Sequence, residues 1–157
     1  MQPMLGALDL PAHVRPLTFA GEDVQGLYAR SALLVTDYSS VAFNAAYVDA
    51  PVVYFQFDRD AVLAGQHIGR AGYFDYVRDG FGPVVTTAEA ATEAIVAQLE
   101  HGPRPTESFQ ARIDRTFPQR DGHACERVIA AVEELSRPYP WPSDVQALLD
   151  GAGSRDA

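Results

Sequence analysis

The sequence predicts an α/β fold in which helices cover both faces of a parallel sheet. Three continuous apolar runs have the composition of buried parallel strands: residues 32–36 (ALLVT), 52–57 (VVYFQF) and 83–87 (PVVTT). Helical patterns alternate with these runs, and the connections are long enough for the crossovers that parallel pairing requires. At 157 residues the chain is long enough to form one such domain with a buried core.

The helices are predicted from apolar spacing and from the residues at their ends. One helix precedes the first strand, and a second runs from Ser39 or Ser40 to Val48, ending before Pro51 because proline cannot continue it. Thr86 and Glu89 have the spacing of a capping box for a helix over 88–102.

Two further helices are predicted near the end of the chain. Thr106 is expected to cap a helix over 107–117. The last helix, over 124–135, places five apolar residues on one face at the spacing of a core-packed helix: Cys125, Val128, Ile129, Val132 and Leu135.

The predicted domain covers residues 14–137, after a lead-in over 1–13 and before a proline-rich segment and polar tail over 138–157. Residues 13–19 are expected to form a short strand, kept near an edge by Pro16. Residues 58–82 have weak periodicity and predict a long loop with at most a short helix. Long ordered loops of this kind tend to be functional.

Composition narrows the classes of partner. The formal charge of −9 opposes binding to nucleic acid or to anionic lipid by charge alone. The sequence contains no run of about 20 apolar residues, so a transmembrane segment is not expected. Cys125 is the only cysteine, which excludes an internal disulfide and a thiolate zinc cluster. His67, His101 and His123 lack metal-ligand spacing, so no metal is expected.

The most informative stretch is the polar turn directly after the first predicted strand. Ligands in open parallel sheets bind beyond the carboxyl ends of strands, where Asp37 to Ser40 fall. Thr36, Ser39 and Ser40 could offer hydroxyls to phosphate oxygens beside a helix start, and the alternative is that the serines simply cap the helix. Asp37 would repel phosphate and is expected to accept backbone N–H bonds or to meet a sugar or acceptor hydroxyl. Tyr38 could stack on a ligand or pack.

Four ordered segments carry a resemblance to a known family: residues 33–58 (LLVTDYSSVAFNAAYVDAPVVYFQFD), 70–76 (RAGYFDY), 81–95 (FGPVVTTAEAATEAI) and 117–129 (FPQRDGHACERVI). Together they resemble the C-terminal part of the CDP-glycerol glycerophosphotransferases of teichoic-acid synthesis. The resemblance implies a Rossmann-like domain, equivalent to the C-terminal half of a GT-B glycosyltransferase fold, that holds CDP-glycerol or a related CDP-polyol donor. It also implies transfer of a polyol phosphate onto a growing acceptor polymer with release of CMP, and no metal cofactor.

The resemblance adds four candidate site residues. Arg70 is expected to provide a cation at the donor phosphates, because a guanidinium binds two oxygens at once, and Asp75 is expected to orient it. Asn44 stands where the family usually has an acidic residue. Asp121 precedes the last helix, where it either caps that helix or meets a nucleotide hydroxyl.

The histidines that transfer protons in this family lie in an N-terminal portion that nothing in this sequence matches. The catalytic residues are therefore unknown, and we expect a chain that is inactive unless an N-terminal half or partner domain joins it. A stand-alone nucleotide-binding or protein-interaction module and a nucleotide-sugar glycosyltransferase are the alternatives. The expected location is cytoplasmic, including a peripheral position at the inner face of the cell membrane.

Overall fold

The computed structural model describes residues 9–17, 23–63, 73–136 and 145. It divides into two compact units, Met1–Phe117 and Pro118–Ala157. The first unit contains the sheet and five helices of the described residues, and the second contains one described helix.

The sheet of the first unit is parallel, as predicted. Its strands are β1 (Leu34–Thr36), β2 (Val52–Phe55) and β3 (Val84–Val85), and they lie in the order β1-β2-β3. Thr36 pairs with Tyr54 across β1 and β2, and Tyr54 pairs with Val84 across β2 and β3. The three carboxyl ends therefore meet along one edge of the sheet.

Six helices are described; five lie close to their predicted positions, and the sixth is a short helix within the predicted loop over 58–82. They are α1 (Val24–Arg30), α2 (Val41–Tyr47), α3 (Arg59–Leu63), α4 (Ala88–His101), α5 (Glu107–Thr116) and α6 (Ala124–Ser136). The mixture of parallel strands and helices confirms the α/β class and is consistent with a Rossmann-like arrangement. None of the described helices combines the length and apolarity needed to cross a bilayer.

Two local predictions are corrected. The N-cap of α4 is Thr87 and not Thr86, because the Thr87 Oγ1 accepts the Ala90 N–H at 3.2 Å. Glu89 then occupies the second helical position, so it is out of register for the predicted capping box. Residues 13–17 form no strand, in keeping with Pro16, which has no N–H to donate to a ladder; residues 18 and 19 lie outside the described residues.

Both faces of β2 are buried. Val52, Val53 and Tyr54 are 2%, 0% and 0% exposed, and successive strand residues point to opposite faces. The core that includes Val52 and Tyr54 also contains alanines of α2 and of the turn after it, and larger side chains from later in the chain: Ala42, Ala45, Ala46, Ala50, Phe81 and Ile113. The alanines allow α2 to approach the sheet closely, which fixes where α2 begins after β1.

The chain also approaches β2 closely where it enters β3. Gly82 is buried, and a Cβ atom at this position would lie 1.6 Å from the carbonyl oxygen of Val52. No side chain fits in that space, so glycine is required for β3 to lie beside β2. Nearby, the Phe81 ring packs against Phe43 at 5.0 Å between centroids.

Helix α6 of the second unit forms as predicted, but its apolar face is not part of a core. Val128, Ile129, Val132 and Leu135 are 46–76% exposed, and Cys125 is exposed too. Within the second unit, the described residues therefore do not bury this face, in contrast to the core packing that its spacing predicts. Residues 118–136 contain no other helix or strand, so that stretch supplies no element to cover it.

Candidate functional site

The residues that follow β1 and β2 contact each other at the carboxyl edge of the sheet. The Nε2 of Gln56, a residue only 1% exposed, donates to the carbonyl oxygen of Asp37 at 3.4 Å. The Tyr38 hydroxyl donates to the Asp58 Oδ1 at 3.2 Å. Residues 37–40, which we call the β1–α2 turn, are thus held by side chains that come after the neighbouring strand.

A third contact reaches the β1–α2 turn from the segment before β3. The Tyr76 hydroxyl donates to the Tyr38 carbonyl oxygen at 2.8 Å, and the two rings meet edge to face at 5.7 Å. The sequence allowed two roles for Tyr38, stacking on a ligand or packing within the protein. In the structure it packs within the protein. Its side chain is half-buried and fixes the orientation of the turn.

Burial and the neighbouring Asp58 carboxylate raise the pKa of Tyr38 to about 12, an effect that the positive charge of Arg59 partly offsets. Burial, followed by the charge of Asp37, also raises the pKa of Tyr76. Both phenols therefore stay protonated at neutral pH. They act as hydrogen-bond donors that hold the turn, not as bases.

The two serines of the turn differ in how they use their hydroxyls. The Ser39 Oγ accepts the Val41 N–H at the long distance of 3.4 Å. Ser40 is the N-cap of α2, but its backbone is already helical and its hydroxyl makes no capping bond. Simple capping therefore accounts in part for Ser39 and not for Ser40, whose side chain is exposed. Thr36 is half-buried at the end of β1.

No described residue donates a hydrogen bond to the exposed Asp37 carboxylate, so the backbone N–H bonds expected for it are not found within the described part of the chain. Gln56 and Tyr76 hold the backbone of the turn from outside. The Asp37 side chain is consequently left facing solvent.

The other predicted site residues are distributed over the chain. Asn44 is exposed on α2, where it lines a groove of about 180 Å³ with Gln25 and Tyr28 of α1. The Asp75 Oδ1 accepts the N–H groups of Val77 and Arg78 at 2.9 and 2.8 Å and so shapes its own turn. Arg70 and His67 lie outside the described residues, so the expected pairing of Arg70 with Asp75 stays a prediction.

Asp121, in the second unit, is occupied by structural contacts. Its Oδ1 accepts the His123 N–H at 3.0 Å, and both carboxylate oxygens accept from the Arg127 guanidinium, the shorter distance being 2.8 Å. The Arg127 bond is the main reason that the pKa of Asp121 is lowered. This geometry favours the structural interpretation, in which Asp121 organises the approach to α6.

The sequence reasoning missed Gln56, Asp58 and Tyr76. The sequence does contain a signal for Gln56 and Asp58, because both come shortly after β2. Residues that follow neighbouring parallel strands lie at the same edge of the sheet, so Gln56 and Asp58 could be expected near the turn that follows β1. The structure adds a cavity of about 580 Å³ beyond β2 and β3, lined by Phe57, Asp58, Arg59, Asp60, Ala61 and Thr86. Within the described part of the chain, no group of three His, Cys, Asp or Glu residues could hold a metal ion.

Comparisons with known proteins give a consistent result. The family model for CDP-glycerol:poly(glycerophosphate) glycerophosphotransferase matches residues 17–134. The chain is 34% identical over 117 residues to the teichoic acid poly(glycerol phosphate) polymerase of Bacillus subtilis (strain 168). It is 30% identical over 111 residues both to the minor teichoic acid biosynthesis protein GgaB of the same organism and to the teichoic acid glycerol-phosphate transferase of Staphylococcus aureus (strain NCTC 8325 / PS 47).

These matches cover 71–72% of this chain but only 12–28% of the relatives' own length. No solved structure shows significant similarity to the chain. The family model covers most of the chain, including the sheet, the β1–α2 turn and nearly all of α6. On this match, the chain belongs to the CDP-glycerol:poly(glycerophosphate) glycerophosphotransferase family.

Proposed function

We propose that this chain is the donor-nucleotide-binding part of a polyol-phosphate transferase in the synthesis of a teichoic-acid-like polymer. The donor is CDP-glycerol or a related CDP-polyol, and the acceptor is a polyol-phosphate chain. Family membership supports this proposal, as do the names of two relatives, a teichoic acid poly(glycerol phosphate) polymerase and a teichoic acid glycerol-phosphate transferase. A GT-B arrangement with an N-terminal half, and a cytoplasmic position that includes the inner face of the membrane, belong to the same proposal.

The observation that carries the proposal is the position of the β1–α2 turn together with its exposed, unused hydroxyl. It lies at the carboxyl edge of a parallel sheet, and the exposed Ser40 hydroxyl is not used to cap α2. Hydroxyls and backbone N–H groups are suitable donors to the oxygens of a diphosphate. Helix α2 has only seven residues, so its dipole adds little and the hydroxyls of Thr36, Ser39 and Ser40 carry the argument.

The exposed Asp37 carboxylate is better suited to contact a hydroxyl group of the ligand than its phosphates. It repels phosphate oxygens but accepts hydrogen bonds from hydroxyl groups. In the proposed complex it therefore faces a hydroxyl of the ribose, the polyol or the acceptor. The cation that the diphosphate requires is Arg70 in this proposal, as the family resemblance implies.

In the reaction, an acceptor hydroxyl attacks the phosphorus that carries the polyol. The bond from that phosphorus to the oxygen bridging it to CMP breaks, and CMP leaves with the bond's electrons. The hydroxyl proton passes to a base, which we assign to histidines of the N-terminal portion. The role of this chain is to hold the diphosphate and stabilise the charge on the departing CMP.

The test is thermal protection by CDP and CDP-glycerol. A ligand that binds only the folded state stabilises it by about 2.7 kcal/mol at 100 times its Kd. We expect wild-type protein to be protected and the double variant Ser39→Ala, Ser40→Ala to lose protection while keeping its own melting temperature. The matched control is Ser31→Ala, Ser108→Ala, which removes two exposed serines from other helix ends.

Normal protection of the Ser39→Ala, Ser40→Ala variant would remove the phosphate role from these serines. Absence of protection in wild-type protein would overturn donor binding itself. Catalysis is measured separately, as CMP release with a polyol-phosphate acceptor. We expect none from the 157-residue chain by itself, and release at a rate typical of an enzyme would contradict the assignment of catalysis to another portion.

A further inference from the structure

The groove between α1 and α2 is lined by polar groups that the fold does not use. Its described lining residues are Gln25, Tyr28, Asn44, Tyr47 and Val48. The side-chain amides of Gln25 and Asn44 and the hydroxyl of Tyr28 make no hydrogen bond to any residue that the structure describes. Gln25 and Asn44 are exposed. These three groups are therefore available to a ligand.

The chemistry of the groove suits an uncharged ligand that is rich in hydroxyls. None of its five described lining residues carries a charge. Amides and phenols both donate and accept hydrogen bonds, as the hydroxyls of a polyol do, whereas a phosphate needs cations or several N–H groups. The volume of about 180 Å³ equals that of about six water molecules. This is room for one small polyol unit but too little for a nucleotide.

The two aromatic walls of the groove are held by packing inside the protein. The Tyr47 ring is 42% exposed and meets the Phe117 ring edge to face, with centroids 5.5 Å apart. The Tyr28 ring is half-buried and packs against the hydrophobic core. Because both rings are already fixed, a ligand that lies between them loses little affinity to the ordering of side chains.

The groove lies next to the β1–α2 turn along α2. Ser40 and Asn44 are four residues apart at the start of this helix, so they share one of its faces with about 5–6 Å between their Cβ atoms. Tyr47 and Val48 extend the groove by a further helical turn. The groove therefore begins one turn away from the proposed diphosphate site and leads away from it.

We propose that this groove binds a polyol unit of the acceptor chain, next to the unit whose hydroxyl reacts. The amides of Gln25 and Asn44 and the Tyr28 hydroxyl bond the hydroxyl and ether-like oxygens of that unit, and its flanking phosphates stay in solvent. The inference rests on the proposed function and deepens it, because it assigns part of the acceptor site to this chain. The polyol of the donor is joined directly to the diphosphate, whereas an acceptor has further units that extend away from the reacting end.

The experiment is isothermal titration calorimetry of the 157-residue chain with a synthetic glycerol phosphate trimer, CDP and inorganic tripolyphosphate. The double variant Gln25→Ala, Tyr28→Phe removes an amide and a hydroxyl but keeps the ring that packs on the core. The loss of two hydrogen bonds is expected to weaken trimer binding by about fivefold or more. Binding of CDP and of tripolyphosphate, which has no polyol, is expected to stay unchanged.

Two controls accompany this variant. Gln119→Ala removes an exposed glutamine that does not line the groove, so we expect it to leave trimer binding unchanged. Saturating CDP is expected to leave trimer binding in place, because the groove and the donor site are separate. Complete displacement of the trimer by CDP would place the trimer at the donor site and overturn the inference.

The outcomes separate this inference from the proposed function. If wild-type protein binds CDP but not the trimer, or if the double variant binds the trimer as tightly as wild-type protein does, the acceptor groove is overturned while donor binding stands. If the double variant weakens CDP-glycerol as much as the trimer, the groove holds the donor's polyol and the assignment to the acceptor is overturned. If wild-type protein binds neither CDP nor the trimer, the proposed function fails and this inference fails with it.

Discussion

Two turns in this molecule share an aspartate but differ in the contacts that this aspartate makes. Each contains an aspartate shortly before a helix: Asp37 before α2 and Asp121 before α6. The Asp121 carboxylate accepts hydrogen bonds from His123 and Arg127, whereas no described residue bonds to the Asp37 carboxylate and the Ser40 hydroxyl makes no capping bond. A polar residue before a helix is therefore a candidate for ligand binding only where other groups already hold the turn.

The largest expected effect comes from substituting one glycine in each of the two units. Gly82→Ala places a Cβ against the Val52 carbonyl and should lower the free energy of unfolding by about 3 kcal/mol or more, because the backbone of β2 cannot move aside. Gly122→Ala, near Asp121, meets no atom within 4 Å but has a φ of 82°, so it should cost about 1 kcal/mol.

Urea denaturation followed by far-ultraviolet circular dichroism measures both glycine variants. Equal losses of stability in the two variants would contradict the expectation that Gly82→Ala is the more destabilising substitution. In that case, the close approach of β3 to β2 would not be what requires glycine at position 82.

The next effect comes from the aspartates themselves. Asp121→Ala removes the acceptor for the His123 N–H and the partner of Arg127, so amide hydrogen exchange in the first turn of α6 should become faster. Asp37→Ala removes no hydrogen bond to a described residue and should leave exchange in α2 unchanged. Faster exchange in α2 after Asp37→Ala would show that this carboxylate supports the turn after all.

The smallest expected effect is a difference in pH dependence. The pKa of Tyr38 is raised from 10.0 to about 12 in the folded state, so its contribution to stability is present below pH 10 and is lost as the pH rises toward 12. The pKa of Asp121 is lowered from 3.8, so its contribution is present above that value and is lost as the pH falls through the folded-state pKa.

Unfolding free energies across both pH ranges test this difference. Tyr38→Phe should flatten the alkaline limb and leave the acid limb unchanged, and Asp121→Asn should do the reverse. If the alkaline limb of the Tyr38→Phe variant is as steep as that of wild-type protein, the limb arises from other groups. Tyr54 is one such group, because burial raises its pKa to about 12 as well.

The sequence predicted the strands and helices well because their signals are local. Apolar runs mark β1, β2 and β3, and Pro51 marks the end of α2. The predicted cap of α4 differs from the observed one by a single residue. Thr86 and Thr87 are both threonines, so the sequence alone does not show which of them precedes the first helical residue. The exposed face of α6 was misjudged because spacing predicts a face but not what covers it.

The turn itself was predicted, but its supports were not. Gln56, Asp58 and Tyr76 reach it from positions 19, 20 and 38 residues away, and such contacts depend on strand register and on the path of the chain. For the same reason, the sequence suggested a structural role for Asp37 that the structure gives to Gln56. The cavity beside Phe57 also depends on how segments that are distant in sequence come together, so a local sequence pattern does not predict it.

The hydrogen bond from Tyr76 to Tyr38 also bears on how the protein is made. A contact between residues far apart in sequence requires closure of the intervening chain, which costs entropy before the contact can form. During synthesis on the ribosome, a nascent chain that has not yet exposed residue 76 lacks the group that orients the Tyr38 carbonyl. Under the proposed function, a chain that lacks residue 76 is therefore expected to bind the nucleotide more weakly than one that contains it.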